Sequence, residues 1–171
     1  MQHNMIHYRR LVASLMACGA VIGSAAAPAV ADRTSYPDIS AYASVGGLQK
    51  FRLVDADGVW FTTPVGLKCA IGDDGSYGCS GVLPGTPNGD NEIGWFPGDS
   101  LPRLYHTDTP KFALVSRQSI VNPLSVLAYH GSRCAVDEEG SVYCINGDNA
   151  DSQIMVTARM TYRGSQALPS S

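Results

Sequence analysis

From Lys50 to Tyr162 the chain alternates short apolar, β-branched runs with clusters of Gly, Asn, Asp and Pro. Runs of four to eight such residues between turn formers are the pattern of β-strands. Lys50–Val54 and Val59–Thr63, separated by Asp-Ala-Asp-Gly, read as a hairpin. Further strands are expected around Ile93–Phe96, at Phe112–Val115, at Leu124–His130 and at Gln153–Tyr162. Ahead of them, Ser35 before Pro37-Asp38 marks a helix start, and Ala-Tyr-Ala-Ser-Val runs to Gly46-Gly47, so a short helix is expected there. The segment 81–110 differs, holding Pro84, Pro87, Pro97, Pro102 and Pro110 among Gly and Asn residues. Little regular structure is expected in it beyond the Ile93 strand.

One pattern occurs twice. Cys69-Ala-Ile-Gly-Asp-Asp-Gly-Ser-Tyr-Gly-Cys79 aligns without a gap on Cys134-Ala-Val-Asp-Glu-Glu-Gly-Ser-Val-Tyr-Cys144. With Asp73–Gly75 and Glu138–Gly140 as three-residue loops, each glycine falls where the backbone needs positive φ. Counting outward pairs Ile71 with Tyr77 and Val136 with Val142, and sets Cys69 opposite Cys79 and Cys134 opposite Cys144. Opposed cysteines at a non-hydrogen-bonded pair are close enough to be bridged. Each small loop would then stabilise by roughly 2.5–3 kcal/mol. Four cysteines allow three connectivities, so crossed bridges between the hairpins are the alternative to two local ones. Neither the Cys-x-x-Cys of a redox site nor the close Cys/His pairs of a zinc site occurs.

The fold class that follows is mainly β: a small sandwich or open barrel of roughly eight or nine short strands. Residues 1–31 stand apart. Arg9-Arg10 precede an apolar, small-residue stretch from Leu11 to Ala27, and Ala29-Val30-Ala31 has the form that signal peptidase cuts after. The division is a signal peptide at 1–31, an arm with a short helix at 32–49, a stapled β domain at 50–163 and a disordered tail at 164–171. Three other readings of the leader are lipidation at Cys18, within Leu15-Met16-Ala17-Cys18, an uncleaved anchor, and a twin-arginine signal at Arg9-Arg10, which no Ser or Thr precedes. Either cleavage or lipidation leaves four cysteines for the hairpins, which suits an oxidising compartment. The expected location is the cell envelope or the extracellular space, with no membrane span after cleavage.

Charge narrows the partners. Losing Arg9 and Arg10 leaves ten basic residues against fifteen acidic ones, a net of −5. That balance argues against nucleic acid and against anionic lipid. About 140 residues are enough for a real core, so the bridges assist the fold rather than replace one.

Phe61-Thr-Thr-Pro64-x-Gly66 followed by Cys69 resembles the signature of small secreted actinobacterial proteins forming a domain of unknown function. Tyr77-Gly-Cys-Ser-Gly81, Leu83-Pro-Gly85, Asn91-Glu-Ile-Gly-Trp95 and Cys144-Ile-Asn-Gly147 are similar to an uncharacterised mycobacterial secreted family. The resemblance covers roughly Tyr36 to Tyr162 and implies a secreted protein. It brings no catalytic residues.

Residues that could carry chemistry are few. His106-Thr-Asp108 could pair a base with a carboxylate, and His130 ends an apolar strand. No Gly-x-Ser-x-Gly, His-Glu-x-x-His or Ser-x-x-Lys accompanies them. Asn88–Glu92 and Asn146–Asp151 have the alternating oxygens with which a calcium loop begins, but they lack its sixth-position glycine and suit ordinary turns. No metal, cofactor or catalytic residue is assigned. Trp60 reads as core. Glu92, Trp95 and Phe96, with Tyr105 close in sequence, are the candidate partner-binding residues, because tryptophan is a favoured anchor and the prolines stiffen the loop displaying it; the alternative is that Trp95 and Phe96 fold back to cap one end of the β core. The expected function is a non-catalytic binding domain for a protein or glycan partner. An envelope-directed hydrolase and a structural or inhibitor-like protein are the alternatives. N-terminal sequencing of the exported protein is expected to begin at Asp32; a lipidated start at Cys18 would overturn the cleavage site.

Overall fold

Both cysteine hairpins close in the register that the loop count dictates. The computed structural model describes residues 36–114 and 116–165. Gly75 and Gly140 have φ of 82° and 86°, and the loops are closed by Gly72 N–H on Ser76 O at 2.7 Å and Asp137 N–H on Ser141 O at 3.0 Å. Cys69 is bridged to Cys79 and Cys134 to Cys144, each across a Cα–Cα distance of 4.1 Å. All four cysteines are buried, so both bridges lie inside the core.

The described residues form twelve short strands. Val59–Thr62 (β2), Lys68–Ile71 (β3), Tyr77–Ser80 (β4), Glu92–Trp95 (β5) and Arg103–Tyr105 (β6) form an antiparallel meander. Ser125–Tyr129 (β8), Ser132–Val136 (β9), Val142–Asn146 (β10), Ile154–Val156 (β11) and Thr161–Arg163 (β12) form a second. Ala43–Ser44 (β1) lies parallel to β8, and Ser119–Ile120 (β7) lies parallel to β2. The first sheet therefore has the order β6-β5-β4-β3-β2-β7, and the second β1-β8-β9-β10-β11-β12. Each meander takes its edge strand from the chain segment that leads into the other.

Alternation along the strands decides what faces the core. Phe61, Ile71, Tyr77, Ile93 and Trp95 come from the first sheet, and Leu127, Val136, Val142, Ile154 and Val156 from the second. With the four cysteines, and with Phe51, Leu67, Leu83 and Val121 from connecting segments, they make one buried cluster between the sheets. The architecture is a two-layer sandwich. Tyr77 joins the layers through its hydroxyl, which donates to Ser152 O and whose pKa burial pushes up.

Several expectations are corrected. No α-helix forms between Tyr36 and Gly47: Ser40 N–H turns back to Asp38 Oδ1, and the donors of Ala43 and Val45 go to Leu124 O and Val126 O. Edge pairing with a distant strand overrides the local helix pattern. Helical structure among the described residues is limited to 3₁₀ turns at Leu48–Phe51 and Ala150–Ser152, and no helix is long and apolar enough to cross a membrane. Lys50–Val54 is not a strand either. Phe51 is buried, an isolated bridge joins Leu53 to Ala56, and the free edge of β2 is taken by β7. Segment 81–110 contains two strands, β5 and β6, and Phe112 lies outside any strand. Gly164, expected in the tail, is buried, its N–H bonded to Gln153 O and its carbonyl to the Tyr36 hydroxyl. The leader with Cys18, and the tail from 166 onward, lie outside the described residues.

Replacing Cys134 and Cys144 together with alanine is expected to cost about 3 kcal/mol of stability, by releasing the loop they close. The measurement is the urea midpoint against the wild type. A loss under about 0.5 kcal/mol would show that the hairpin is held without the bridge.

Candidate functional site

Across the outer face of the first sheet, one row of positions shrinks and then disappears. Trp60 pairs with Ala70, Ala70 with Gly78 and Gly78 with Gly94. The glycines leave a bare floor, and the Phe112 ring lies on it. A Cβ added at Gly78 or Gly94 would come within 2.3 or 2.5 Å of Phe112 Cε2. Glycine inside a strand marks such a close approach. The neighbouring row, Lys68, Ser80, Glu92 and Tyr105, is polar and also runs across the sheet by direct pairing.

This polar row fastens the chain that crosses it. Glu92 is fully buried, and its carboxylate accepts from Ser80 Oγ, from the Tyr105 hydroxyl at 2.6 Å, and from the backbone N–H groups of Lys111 at 2.7 Å and Phe112 at 3.4 Å. Four donors stand in for the water a buried carboxylate has lost. The Tyr105 hydroxyl is held protonated, its pKa raised first by burial and then by its bond to Glu92. Further along, Asn91 makes a two-way bond with the Thr107 backbone at 2.8 and 2.9 Å. Lys68 Nζ donates to Leu114 O at 2.9 Å, and Gln118 Nε2 to Cys69 O at 3.3 Å. The segment from Thr107 to Leu114 is thus a strap laid over the sheet, and Gln118 is tied down just ahead of β7.

Beside the strap is a cavity of about 330 Å³. Trp60, Ala70 and Phe112 form its apolar side, and Asp57, Asp73, Asp74 and Lys111 its charged side. Trp60 Nε1 donates to Asp57 O at 2.9 Å, which fixes the indole. Bonds from Ser76, its side chain foremost, hold the Asp74 carboxyl below the usual carboxylate range. Asp73 accepts from the Tyr129 hydroxyl at 2.6 Å, and that hydroxyl also receives a guanidinium N–H of Arg52. The tip of the first cysteine hairpin thereby supplies two of the three carboxylates.

The candidate residues of β5 are brought to different places. Trp95 is 6% exposed and faces the core, stacked on Tyr77 at 5.7 Å, with Nε1 donating to Asp99 O at 3.1 Å. It is not a displayed anchor, and Glu92 is not a surface acid. Both expectations are corrected by the same fact: 92–95 is a strand covered on both faces. Phe96, just past the strand, is half-buried, with Lys111 Nζ 4.3 Å and Arg103 Cζ 5.2 Å from its ring centre and the Phe112 ring at 5.9 Å. Trp60 is buried, as expected.

His106 lies at the surface, bonded through Nδ1 to Gly89 O at 3.2 Å, with Asp108 3.7 Å from Nε2. His130 occupies the β8–β9 turn at φ 45°, edge-on to Tyr129. Asn91 is engaged by Thr107, and Asn146 donates to Ser132 Oγ at 2.9 Å. Among the described residues no group of three or more His, Cys, Asp or Glu side chains could hold a metal ion. The strap and its glycine floor were missed in the sequence. Gly78 and Gly94, on one face of two strands, were the available signal. No protein-family model, curated protein or solved structure matches the chain.

Glu92→Gln and Gly94→Ala are both expected to loosen the strap, one by offering an N–H₂ to donors, the other by lifting Phe112. Glu92→Gln should cost about 3 kcal/mol, as loss of a buried charged acceptor does. Faster hydrogen exchange of the Lys111 and Phe112 amides checks this. Unchanged protection in both variants would show that the strap is held by other contacts.

Proposed function

We propose that the protein is an exported, non-catalytic binding domain of the cell envelope or extracellular space, engaging a protein partner through the cavity beside the strap. The observation that carries the reading is an aromatic wall, Trp60 and Phe112, set against Asp57, Asp73 and Asp74. Apolar walls with a few charged groups at the mouth are the usual make-up of a recognition pocket. An apolar stem ending in a cation, as in lysine or arginine, satisfies both sides at once. Asp57 and Asp73 are exposed, so they steer such a partner while the buried ring contacts supply its seat.

Export is supported by the leader pattern and by two disulfides, which are compatible with an extracellular location. The resemblance to secreted actinobacterial proteins agrees with it, and the two aligned cysteine units agree with an origin of both meanders from one repeated unit. The contact surface proposed here is the hairpin tip and strap, in place of Trp95.

The test is capture of envelope and extracellular proteins by the immobilised, disulfide-bonded protein, compared with its Asp57→Asn/Asp73→Asn variant. Partners held by the wild type are expected to fall at least fivefold on the variant and to elute with salt. Equal capture by both would overturn the acidic cavity as the contact site.

A further inference from the structure

Where β6 of one sheet runs beside β12 of the other, a second cavity opens, of about 490 Å³, lined by Phe96, Arg103, Leu104, Tyr105 and Arg163. Its two guanidiniums are in different states. Arg103 is matched by Asp99, with Nε 2.9 Å from Oδ2 and Nη2 2.5 Å from Oδ1. Arg163 has no such partner. Among the described residues its bonded acceptor is the Pro102 carbonyl, 2.8 Å from Nη1, and its Nε is buried with nothing to donate to. A guanidinium carries five N–H donors in a planar fork; with Nε enclosed and Nη1 already bonded to Pro102 O, the edge left for a ligand is that of Nη1 and Nη2.

Nothing in the sheet plan calls for a cation here. Arg163 pairs with Ile154, which follows Cys144; Leu104 pairs with Ile93, which follows Cys79. Leu104 therefore holds the matching position in the first sheet, where it packs against the core. The second sheet has an arginine where a leucine serves the fold.

We infer that this cavity binds a carboxylate carried on an apolar body, with Arg163 as the anion anchor. The fork of a guanidinium matches a carboxylate with two parallel bonds. Phe96, Leu104 and the Tyr105 ring supply apolar walls, while the Tyr105 hydroxyl is committed to Glu92. Because Arg103 is already neutralised by Asp99, the unmatched charge is a single one, which suits a carboxylate better than a phosphate dianion. The cavity volume falls within the range of small-ligand sites, roughly 300–1,000 Å³. The site is argued from different residues than the acidic cavity and stands or falls apart from it.

The test is a titration of the ¹⁵N-labelled, disulfide-bonded protein with 3-phenylpropionate, 3-phenylpropanamide and phenyl phosphate. Saturable shifts of the Phe96, Leu104 and Arg163 amides are expected with the carboxylate, and at least tenfold weaker binding with the neutral amide. Arg163→Gln should weaken the carboxylate at least tenfold at an unchanged urea midpoint. If that variant does not fold, Asp99→Asn serves instead: freeing Arg103 should tighten the carboxylate severalfold. The Asp57→Asn/Asp73→Asn variant should bind it as the wild type does. Equal binding of amide and carboxylate, tighter binding of phenyl phosphate, wild-type affinity in folded Arg163→Gln, or no tightening in Asp99→Asn would each overturn the assignment.

Discussion

Neither sheet is completed by the strands of its own meander, and most of the architecture follows from that. β1 must cross to the sheet of β8 before the first meander can begin, and β7 must return to β2 before the second can. A strand entering at a sheet edge has to arrive from somewhere, and here it arrives over the outer face. Thr107–Leu114 lies across the first sheet on the way to β7. Tyr36 and Ile39, ahead of β1, pack on Tyr143, Ile145 and Met155 of the second. Edge strand and face cover are thus one continuous segment in each case, and two otherwise wet sheet faces become buried surface.

The same plan carries different chemistry on its two faces. Gly78 and Gly94 correspond through the pairing to Tyr143 and Met155, and Glu92 to Gln153. On the first sheet the strand side chains are absent and the strap brings the ring; on the second the strands bring the bulk. Gln153 accepts from the Tyr143 hydroxyl at 2.7 Å and donates to Ala150 O. Glu92 instead accepts from four groups and reaches the strap backbone. A carboxylate can hold a passing chain through its N–H groups in a way that an amide, half donor, cannot. That change adds two backbone bonds to the fastenings of the strap beside which the cavity lies.

Features governed by neighbours in sequence were legible. Both hairpins depended on a glycine in a three-residue loop and on period-two alternation, and both registers came out as counted. The same alternation put Ile93 and Trp95 on one face of their strand and Glu92 and Gly94 on the other, which already argued against a displayed Trp95. The prolines of 81–110 obscured this, because they punctuate a strand pair rather than a loose loop: Pro102 stands just before β6. What the sequence could not convey were pairings between distant segments. β1 and β7 are two residues long, and nothing local distinguishes them from turns. The cavity of Arg163 was hidden for the same reason, since Phe96 and Arg163 meet only when two sheets do.

The bond from the Tyr36 hydroxyl to Gly164 O, at 2.5 Å, joins the first and nearly the last described residues. Entry to and exit from the fold therefore lie side by side, as is common for domains. Mechanically the domain is a pendant. Tension along the backbone from either side would meet that phenol–carbonyl link before it meets a β-ladder.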